Sequence, residues 1–359
     1  MARRRQFYDS NVHDQAWARM RHTYEIFDNV VISFSGGKDS LVVLEMAKRI
    51  AEEMNIPKVH ALFRDEELIP TEVTDFITEK YVGQDWLDLE WWCVPLHSHK
   101  HVLGVNQDYI QWDPNREWMR PKPEWALTEK DLGLKEGYVL SQYTCDPVTI
   151  RNLKGRIAIC TGVRAVESLQ RFRAVVNKTG KENYISNGSG SKRASSVRPI
   201  FDWVENDVFR FFYDYEIEYC PVYDAQAWMQ GCLRVSSALA TSSARNFGIY
   251  RATSPEMYER SIELFPEMTS QDRYFKEYDR AQVSEQHAQS WKTIEQWVKD
   301  NVLDEHQQET ALRKLRDARV RARRYPHAYP LKYVFRQMQG QAGKRDIMPL
   351  TERQSKGWQ

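Results

Sequence analysis

Cysteine is scarce in this chain, and long apolar runs are missing. The five cysteines are widely spaced and none forms a CxxC pair, which argues against a disulfide framework and against a Cys-rich zinc or iron–sulfur site. No apolar run is long enough to cross a bilayer, and the basic residues 3–5 are followed by polar residues rather than by a signal-peptide core. We therefore expect a cytoplasmic protein with no membrane partner and no iron–sulfur cluster.

Glycine, proline and net charge are also low. The 16 glycines and 14 prolines among 359 residues exclude a collagen-like or low-complexity chain. The 51 basic and 50 acidic side chains give a formal charge of +1, so any contact with nucleic acid must come from a local basic patch. Apolar residues make up 42% of the chain and aromatic residues 12%, enough for the cores of about two domains.

The order of predicted strands and helices indicates an α/β protein. Apolar, largely β-branched runs predict strands over 29–34, 58–63, 86–94 and 156–160. Helical periodicity predicts helices over 13–27, 39–50, 71–81, 147–154 and 205–215. Strands that alternate with helices at this spacing form parallel sheets. We therefore predict a doubly wound, mainly parallel sheet.

Two regions depart from this alternation. Residues 97–143 are rich in Trp, Tyr and Pro and are interpreted as an insertion or lid, and residues 177–196 as a mobile polar loop around a short strand at 184–185. After about residue 253 only helices are predicted, over 255–264, 272–278, 285–302 and 305–324. We therefore place an α/β domain at 1–250 and a helical C-terminal region at 251–359.

A glycine turn, Ser35-Gly36-Gly37-Lys38-Asp39-Ser40, joins the first strand to a helix. Glycines allow a tight turn and a close approach to a ligand, and the amides at a helix N-terminus favour an anion. Ser35 and Ser40 can donate hydrogen bonds to phosphate oxygens, and Lys38 adds a positive charge. Asp39 would repel a phosphate unless a cation lay between them, so we assign it to Mg²⁺. The alternative is a turn that only connects strand and helix.

Residues 31–40 resemble the PP-loop of the adenine nucleotide α-hydrolase superfamily, and within it the chain resembles the phosphoadenylylsulfate (PAPS) reductase-like family. Residues 63–72 correspond to that family's Asp-rich turn, 161–171 to its Gly-x-Arg-x-x-Glu-Ser-x-x-Arg segment and 198–208 to its Pro-Ile-x-x-Trp-x-x-x-Asp-Val segment. The resemblance covers residues 25–235, and it extends to the family's subset with a helical tail.

The resemblance implies a Mg²⁺-dependent enzyme that binds ATP and cleaves its α–β phosphate bond, in AMP-forming, adenylylating or sulfur-transfer chemistry. It implies catalytic roles for Lys38, Asp39 and Arg164. It also associates the chain with phages and mobile elements and with a ParB-like partner protein. The nucleotide-binding residues that it implies are Ser33, Ser35, Gly36, Gly37, Lys38, Asp39, Ser40, Asp65, Gly162, Arg164 and Arg171.

Two of these assignments have purely structural alternatives. Asp65 and Glu67 follow the second strand and would hold Mg²⁺ or the ribose at the carboxyl edge of the sheet, or form an ordinary acidic helix N-terminus. Arg164 and Arg171 would bind phosphate, with Glu167 orienting one of them. Alternatively, they lie on a surface helix on which Glu167 pairs with Arg171.

The cysteines separate two kinds of chemistry. PAPS reductases carry a nucleophilic cysteine in a Glu-Cys-Gly tail motif, which this sequence lacks. Cys145 and Cys232 are therefore the candidate thiols of a second hypothesis, a sulfonucleotide reductase with an unorthodox cysteine. The alternative for Cys145 is an ordinary buried thiol.

Two further clusters carry charge or metal-ligating groups. His97, His99 and His101 alternate like the ligands of a zinc site, although a polar loop is the favoured interpretation. The segment from Arg313 to Arg324 holds seven basic residues and one acidic residue and is the best candidate for nucleic-acid contact. A solvated basic face or a dock for an acidic partner explains it equally well. A third hypothesis is therefore a nucleotide-sensing regulatory or DNA-binding protein.

Overall fold

The computed structural model of the chain describes residues 9–176, 182–188, 190–229, 233–275, 283, 286–302, 305–341 and 346–358. The chain divides into two compact units, one of residues up to 96 together with 112–235, the other of residues 97–111 together with 236 onward. Each unit has an apolar core of its own. Among the described residues, no helix combines the length and the apolar character needed to cross a membrane.

The first unit is built on a six-stranded sheet. The strands of this sheet are β1 (Asn29–Phe34), β2 (Val59–Arg64), β3 (Leu87–Trp92), β6 (Ile157–Thr161), β7 (Ile185–Asn187) and β8 (Ala194–Val197). They lie in the order β3-β2-β1-β6-β8-β7, and only the pair β7 and β8 is antiparallel. The predicted doubly wound, mainly parallel sheet is confirmed.

Helices flank this sheet, and most of the predicted ones agree with the structure to within a few residues. The helices of the first unit are α1 (Val12–Ile26), α2 (Lys38–Glu53), α3 (Thr71–Lys80), α4 (Gln142–Thr149), α5 (Leu169–Val176), α6 (Glu205–Asp214) and α7 (Val222–Trp228), with a 3₁₀ turn at Ala165–Glu167.

The central strand β1 is buried on both faces. Ile32 and Phe34 belong to a core that includes Leu44 of α2, whereas Val31 belongs to a second core with Ile159 of β6. Successive side chains of a strand point to opposite faces, so a strand covered on both sides needs apolar residues at nearly every position. This is why β1 is a continuous apolar run broken only by Ser33.

Strand β8 and helix α4 differ from the predictions. The segment 177–196, predicted to be a polar loop, contains β8, in which two serines separate the buried residues Ala194 and Val197. It has no apolar run, and its pairing with β6 and β7 makes it a strand. Helix α4 precedes the predicted range 147–154, because Ser141 caps it and the Ser141 amide donates to Thr144 Oγ1 at 2.8 Å.

The second unit combines a hairpin with helices. Its hairpin consists of β4 (Leu96–Val102) and β5 (Val105–Gln111). Its described helices are α8 (Thr241–Ala244), α9 (Tyr250–Thr253), α10 (Pro255–Leu264), α11 (Met268–Tyr274), α12 (Trp291–Asn301), α13 (Glu305–Arg324), α14 (Leu331–Gln341) and α15 (Glu352–Ser355), with 3₁₀ turns at Phe247–Ile249, Pro326–Ala328 and Lys356–Trp358.

The division between the units differs from the predicted boundary near residue 250. The hairpin, predicted as part of one insertion over 97–143, belongs with the C-terminal helices. The His101 amide donates to the Leu239 carbonyl at 2.8 Å, and Gln307 Nε2 donates to the Asn106 carbonyl at 2.9 Å. Val105 is buried in the same core as Ile294. These contacts are distant in sequence, so composition alone could not place the hairpin.

The three alternating histidines lie on β4 and not on a polar loop. His101 is buried and its Nδ1 lies 2.7 Å from Asn106 Oδ1, whereas His97 is exposed with Nε2 3.8 Å from the Asp108 carboxylate. Within the described part of the chain, no group of three or more His, Cys, Asp or Glu side chains is arranged to hold a metal ion. The histidines therefore do not form the zinc site that their spacing resembles.

Truncating the centre of β1 should destabilise the first unit. Ile32 is fully buried, so we expect Ile32→Ala to lower the free energy of unfolding by about 2–5 kcal/mol, because it removes apolar contacts and leaves a cavity. Urea unfolding measures this. The exposed Val166 is the control, and Val166→Ala should change stability by less than about 0.5 kcal/mol. Equal effects of the two substitutions would contradict this account of the core.

Candidate functional site

The predicted phosphate loop is a tight turn between β1 and α2, and its own residues hold its shape. Gly36 has a φ of +68°, and a Cβ there would lie 2.7 Å from side-chain carbons of Val73 and Ile77 in α3. The Ser35 amide donates to Ser40 Oγ at 3.1 Å, and Ser40 Oγ donates to the Gly37 carbonyl at 2.9 Å. The two serines predicted to bind phosphate thus also stabilise the loop.

A buried tyrosine that the sequence did not single out completes the loop. Tyr223 of α7 accepts a hydrogen bond from the Lys38 amide at 2.8 Å, and its hydroxyl would lie 3.2 Å from a Cβ at Gly37. Burial raises the pKa of Tyr223 above its ordinary value, so the hydroxyl keeps its proton at neutral pH. The hydroxyl fixes the first amide of α2. Its sequence context, Cys-Pro-Val-Tyr-Asp, carries no signal of this role.

Lys38 is almost completely buried, with 3% of its surface exposed. Its ammonium group donates to Asp39 Oδ2 at 3.1 Å and to the Leu233 carbonyl at 3.0 Å, and it lies 3.4 Å from Glu205 Oε1. Burying a charge is costly unless it is paired and hydrogen-bonded, and these partners supply the pairing. A phosphate bound at this ammonium group would replace some of these partners.

Arg164 reaches the same carboxylate from β6. Its Nε lies 2.7 Å from Asp39 Oδ1, and the guanidinium is 5% exposed. Asp39 is therefore placed between the charges of Lys38 and Arg164. The structure brings together the three residues predicted to be catalytic. Asp39 Oδ1 is buried and, although Arg164 lies beside it, accepts no hydrogen bond from the described residues. Mg²⁺ commonly binds to one or two carboxylates together with substrate phosphates, so this oxygen fits a metal carried by a nucleotide.

Gly162 permits the close approach of β6 to the loop. A Cβ at Gly162 would lie 2.5 Å from the Asp39 carbonyl carbon and 2.6 Å from the Ser40 nitrogen. No side chain fits in that space, so the residue after β6 must be glycine for Arg164 to reach Asp39. Gly162, to which the family resemblance assigns a role in nucleotide binding, therefore also has a packing role.

Three arginines give the site an excess of positive charge. Glu167 forms an ion pair with Arg171 and lies 4.0 Å from Arg164 Nη2. Burial, and then the nearby charges of Arg234 and Arg164, lower the pKa of Arg171. A guanidinium next to two others creates a positive potential that favours an anion. The resemblance of residues 231–235 to a Cys-Arg-Val-type segment of reductase-like relatives predicts that Arg234 lies beside the site.

A cavity of about 200 Å³ opens at the carboxyl ends of β1, β2 and β6. Its lining includes Ser33, Arg64, Thr161 and Arg198. Arg198 donates to Ser186 Oγ at 2.9 Å, and burial lowers its pKa. The sheet has its switch point at β1, because the chain runs from β1 to β2 and β3 on one side and then returns to β6 on the other side. The cavity lies at this point, and open α/β sheets bind ligands at this position.

The cysteines differ in their surroundings. Cys145 of α4 lines this cavity, although only 1% of its surface is exposed. Cys232 lies outside the described residues. Burial raises the pKa of Cys93 and Cys160 above the ordinary range and that of Cys220 to about 11. Because the thiolate is the nucleophile, burial disfavours the reactive form of these three thiols at neutral pH.

Asp65 and Glu67 fix the segment that follows the hairpin. Asp65 Oδ1 accepts from Arg120 Nη2 at 2.7 Å, and its Oδ2 accepts from Trp91 Nε1 at 3.0 Å. Glu67 is fully buried and accepts from the Trp112 amide at 2.6 Å and from Arg116 at 2.5 and 2.7 Å. Protein donors occupy both carboxylates, so neither the metal nor the ribose role predicted for Asp65 gains support from these contacts.

Comparison with known proteins identifies a family whose model covers the residues of this site. A family model described as the phosphoadenosine phosphosulfate reductase domain matches residues 29–238, which is more than half of the chain. The uncharacterized protein YbdN of Escherichia coli is 25% identical over 223 residues, which are 60% of this chain and 54% of that protein. The chain thus spans about half the length of the curated relative it matches.

Two solved structures show limited similarity. The phosphoadenylyl-sulfate (PAPS) reductase of Candida auris, solved as a phosphate complex, is 15% identical with a TM-score of 0.32, over 61% of this chain and 92% of that chain. The FMN adenylyltransferase of Candida glabrata is 13% identical with a TM-score of 0.36, over 61% of this chain and 62% of that chain.

A side chain at Gly162 should disrupt the site by displacing the first turn of α2. We expect Gly162→Ala to lower the free energy of unfolding by about 1–3 kcal/mol, because backbone atoms occupy the position of the new methyl group. Chemical denaturation measures the loss. Gly357 has open space around its Cβ position, so Gly357→Ala is the control. Gly162→Ala with full stability would contradict the close approach of β6.

The alkylation rate of Cys220 should depend steeply on pH. Because its pKa is raised to about 11 by burial, the thiolate fraction should rise about tenfold per pH unit from pH 7 to 10 without a plateau. An unperturbed thiol, with a pKa of about 8.5, would level off above pH 9. Iodoacetamide labelling followed by peptide mass spectrometry measures the rate at this residue. A plateau between pH 9 and 10 would show that the thiol is not desolvated.

Proposed function

We propose that this chain, which belongs to the phosphoadenosine phosphosulfate reductase domain family, is a PP-loop enzyme that binds ATP with Mg²⁺ and cleaves the α–β phosphate bond. The observation that carries the proposal is the convergence of Lys38, Asp39 and Arg164 at the loop between β1 and α2. The cytoplasm is the proposed location, and an adenine nucleotide the proposed ligand.

The arrangement suits a triphosphate in three ways. The N-terminus of α2 favours an anion. Lys38 and Arg164 are positioned to stabilise charge that develops on the phosphates, since preorganised donors in a desolvated site act strongly on such charge. Mg²⁺, held by Asp39 and the phosphates, would neutralise part of the charge of the leaving pyrophosphate.

The reaction proposed is a displacement at the α-phosphorus. The nucleophile forms a bond to this atom, the bond to the oxygen bridging the α and β phosphates breaks, and pyrophosphate leaves with the electron pair. If water is the nucleophile, AMP is released; a substrate oxygen or sulfur becomes adenylylated instead. The cavity lined by Ser33, Arg64, Thr161 and Arg198 is the proposed position of the nucleoside, because Ser33 and Thr161 come shortly before the loop and Gly162 in the chain.

A sulfonucleotide reductase is the second candidate, and Cys145 is the observation that favours it. Its thiol lines the same cavity, beside the proposed nucleotide position. In this reaction a thiolate would attack the sulfur of PAPS and release the adenosine bisphosphate, and thioredoxin would then reduce the thiosulfonate to free sulfite. A ParB-like partner protein and an association with mobile elements remain family-level proposals.

The products formed from ATP decide between these activities. We expect radiolabelled ATP with MgCl₂ to give AMP and pyrophosphate, separated by thin-layer chromatography. Lys38→Ala should reduce the rate by about 100-fold or more, since loss of one charge-stabilising donor typically has this effect. Lys48 lies on the same helix, with its ammonium over the Trp86 ring, and Lys48→Ala should retain the activity.

Other outcomes of this experiment point to other functions. ADP and phosphate as products would contradict cleavage at the α–β bond. Release of sulfite from PAPS with thioredoxin, abolished by Cys145→Ser, would favour the reductase. Binding of ATP without any turnover would favour the third hypothesis, a nucleotide sensor.

A further inference from the structure

The charge of the second unit is concentrated on one helix. The segment 313–324 carries seven basic side chains and one acidic one, a formal charge of +6, so the other residues of the chain together carry −5. Helix α13 holds the whole segment. A protein that is nearly neutral as a whole therefore presents one strongly positive surface, which is a feature of polyanion binding.

The arginines of α13 occupy the face opposite its core contacts. Ala311, Leu315 and Ala318 are buried, whereas the basic residues on the other side are exposed: Arg313, Arg316, Arg319, Arg323 and Arg324. At 3.6 residues per turn these five lie within less than half of the helix circumference. Val320 lies among them and is 63% exposed. The row follows the helix axis for about 16 Å, at about 1.5 Å per residue.

Carboxylates do not neutralise this row. Among the described residues, Arg313, Arg316, Arg319 and Arg323 form no ion pair within 4.0 Å. The pKa of Glu295 is lowered first by Lys299 and then by Arg319 and Arg316, but its carboxylate accepts a hydrogen bond from Lys299 at 2.8 Å. The helix dipole favours cations in the last turn of a helix, which explains Arg321, Arg323 and Arg324 but not the three earlier arginines.

An aromatic groove of about 420 Å³ lies beside the row. Trp291, Pro326, Tyr329 and Leu331 supply its apolar walls, and Arg319 and Arg323 stand at its edge. The Trp291 ring is half-buried, so part of it faces the groove. Proteins that bind single-stranded nucleic acid combine these two elements, a cationic track for the phosphates and aromatic rings for the bases.

We propose that the arginine row of α13 and the groove at Trp291 form a binding surface for single-stranded nucleic acid. The phosphates contact Arg316, Arg319 and Arg323, and a base stacks in the groove. The residues of this surface belong to the second unit, and the proposal does not depend on the function proposed for the site of the first unit. Duplex nucleic acid and acidic proteins carry negative charge but present no accessible base face that could stack in the groove. The groove therefore favours a single strand over both.

Fluorescence anisotropy of a labelled oligothymidylate of about 20 nucleotides, with the full chain, tests this surface. We expect binding whose affinity falls with salt. Replacing Arg316, Arg319 and Arg323 together by Ala should weaken binding at least tenfold in low salt. It should also make the slope of log K against log salt less negative by about 2, since each phosphate contact on a single strand contributes about 0.7.

Matched variants separate the contribution of the groove to binding from the contribution of the arginine charges. Trp291→Leu should weaken binding about tenfold without changing the salt slope, because stacking of one base is worth about 1–3 kcal/mol. The exposed lysines Lys58, Lys130 and Lys135, replaced together by Ala, remove the same charge elsewhere and should leave the affinity within about twofold. Circular dichroism checks that each variant is folded, and a labelled oligouridylate tests RNA in the same format.

Each other outcome would overturn the proposal. These outcomes are no binding, tighter binding to a duplex of the same length, equal binding of polyglutamate, and no effect of Trp291→Leu in a folded protein. Competition by polyglutamate without a Trp291 effect would identify the row as a dock for acidic proteins. ATP turnover measured on the same variants should be unchanged, so failure here is distinguishable from failure of the proposed activity.

Discussion

The contact between the end of β6 and the first turn of α2 is the constraint on which the site depends. Gly162 leaves less than 3 Å between its Cβ position and the Asp39 backbone, and this closeness lets Arg164 reach the Asp39 carboxylate. Tyr223 holds the same turn from α7 through the Lys38 amide. The parallel pairing of β1 with β6 brings both segments to the same edge of the sheet. The charged groups of the site are four cations (Lys38, Arg164, Arg171 and Arg234) and three carboxylates (Asp39, Glu167 and Glu205).

This arrangement balances stability against binding. Lys38 and Arg164 are nearly buried, and the neighbouring carboxylates offset part of the cost of burying their charges. Arg171 and Arg234 add charge that Glu167 alone does not neutralise, and this positive potential favours an anion. The proposed nucleotide would exchange existing ion pairs for phosphate contacts, and its Mg²⁺ would compensate for the Asp39 carboxylate.

Local sequence patterns predicted much of the fold. The glycine turn, the β-branched strand before it and the helices around the sheet were predictable, because turn geometry and helix and strand periodicity are set by nearby residues. The same local signals marked Lys38 and Asp39, whereas the role of Arg164 was implied by the resemblance to the family. They failed for β8, whose serines form a strand only between β6 and β7, for the histidines of β4, and for the hairpin 97–111, whose partners lie more than 100 residues away.

The sequence by itself determined the family, the mainly parallel sheet and the identity of the phosphate loop, since each depends on residues that are adjacent along the chain. Only the tertiary structure decided the roles of Tyr223, Arg234 and Gly162, and the saturation of Asp65 by Trp91 and Arg120. It also set the arginines of α13 beside the groove at Trp291. These depend on distances between segments far apart in the chain, which periodicity and composition do not encode.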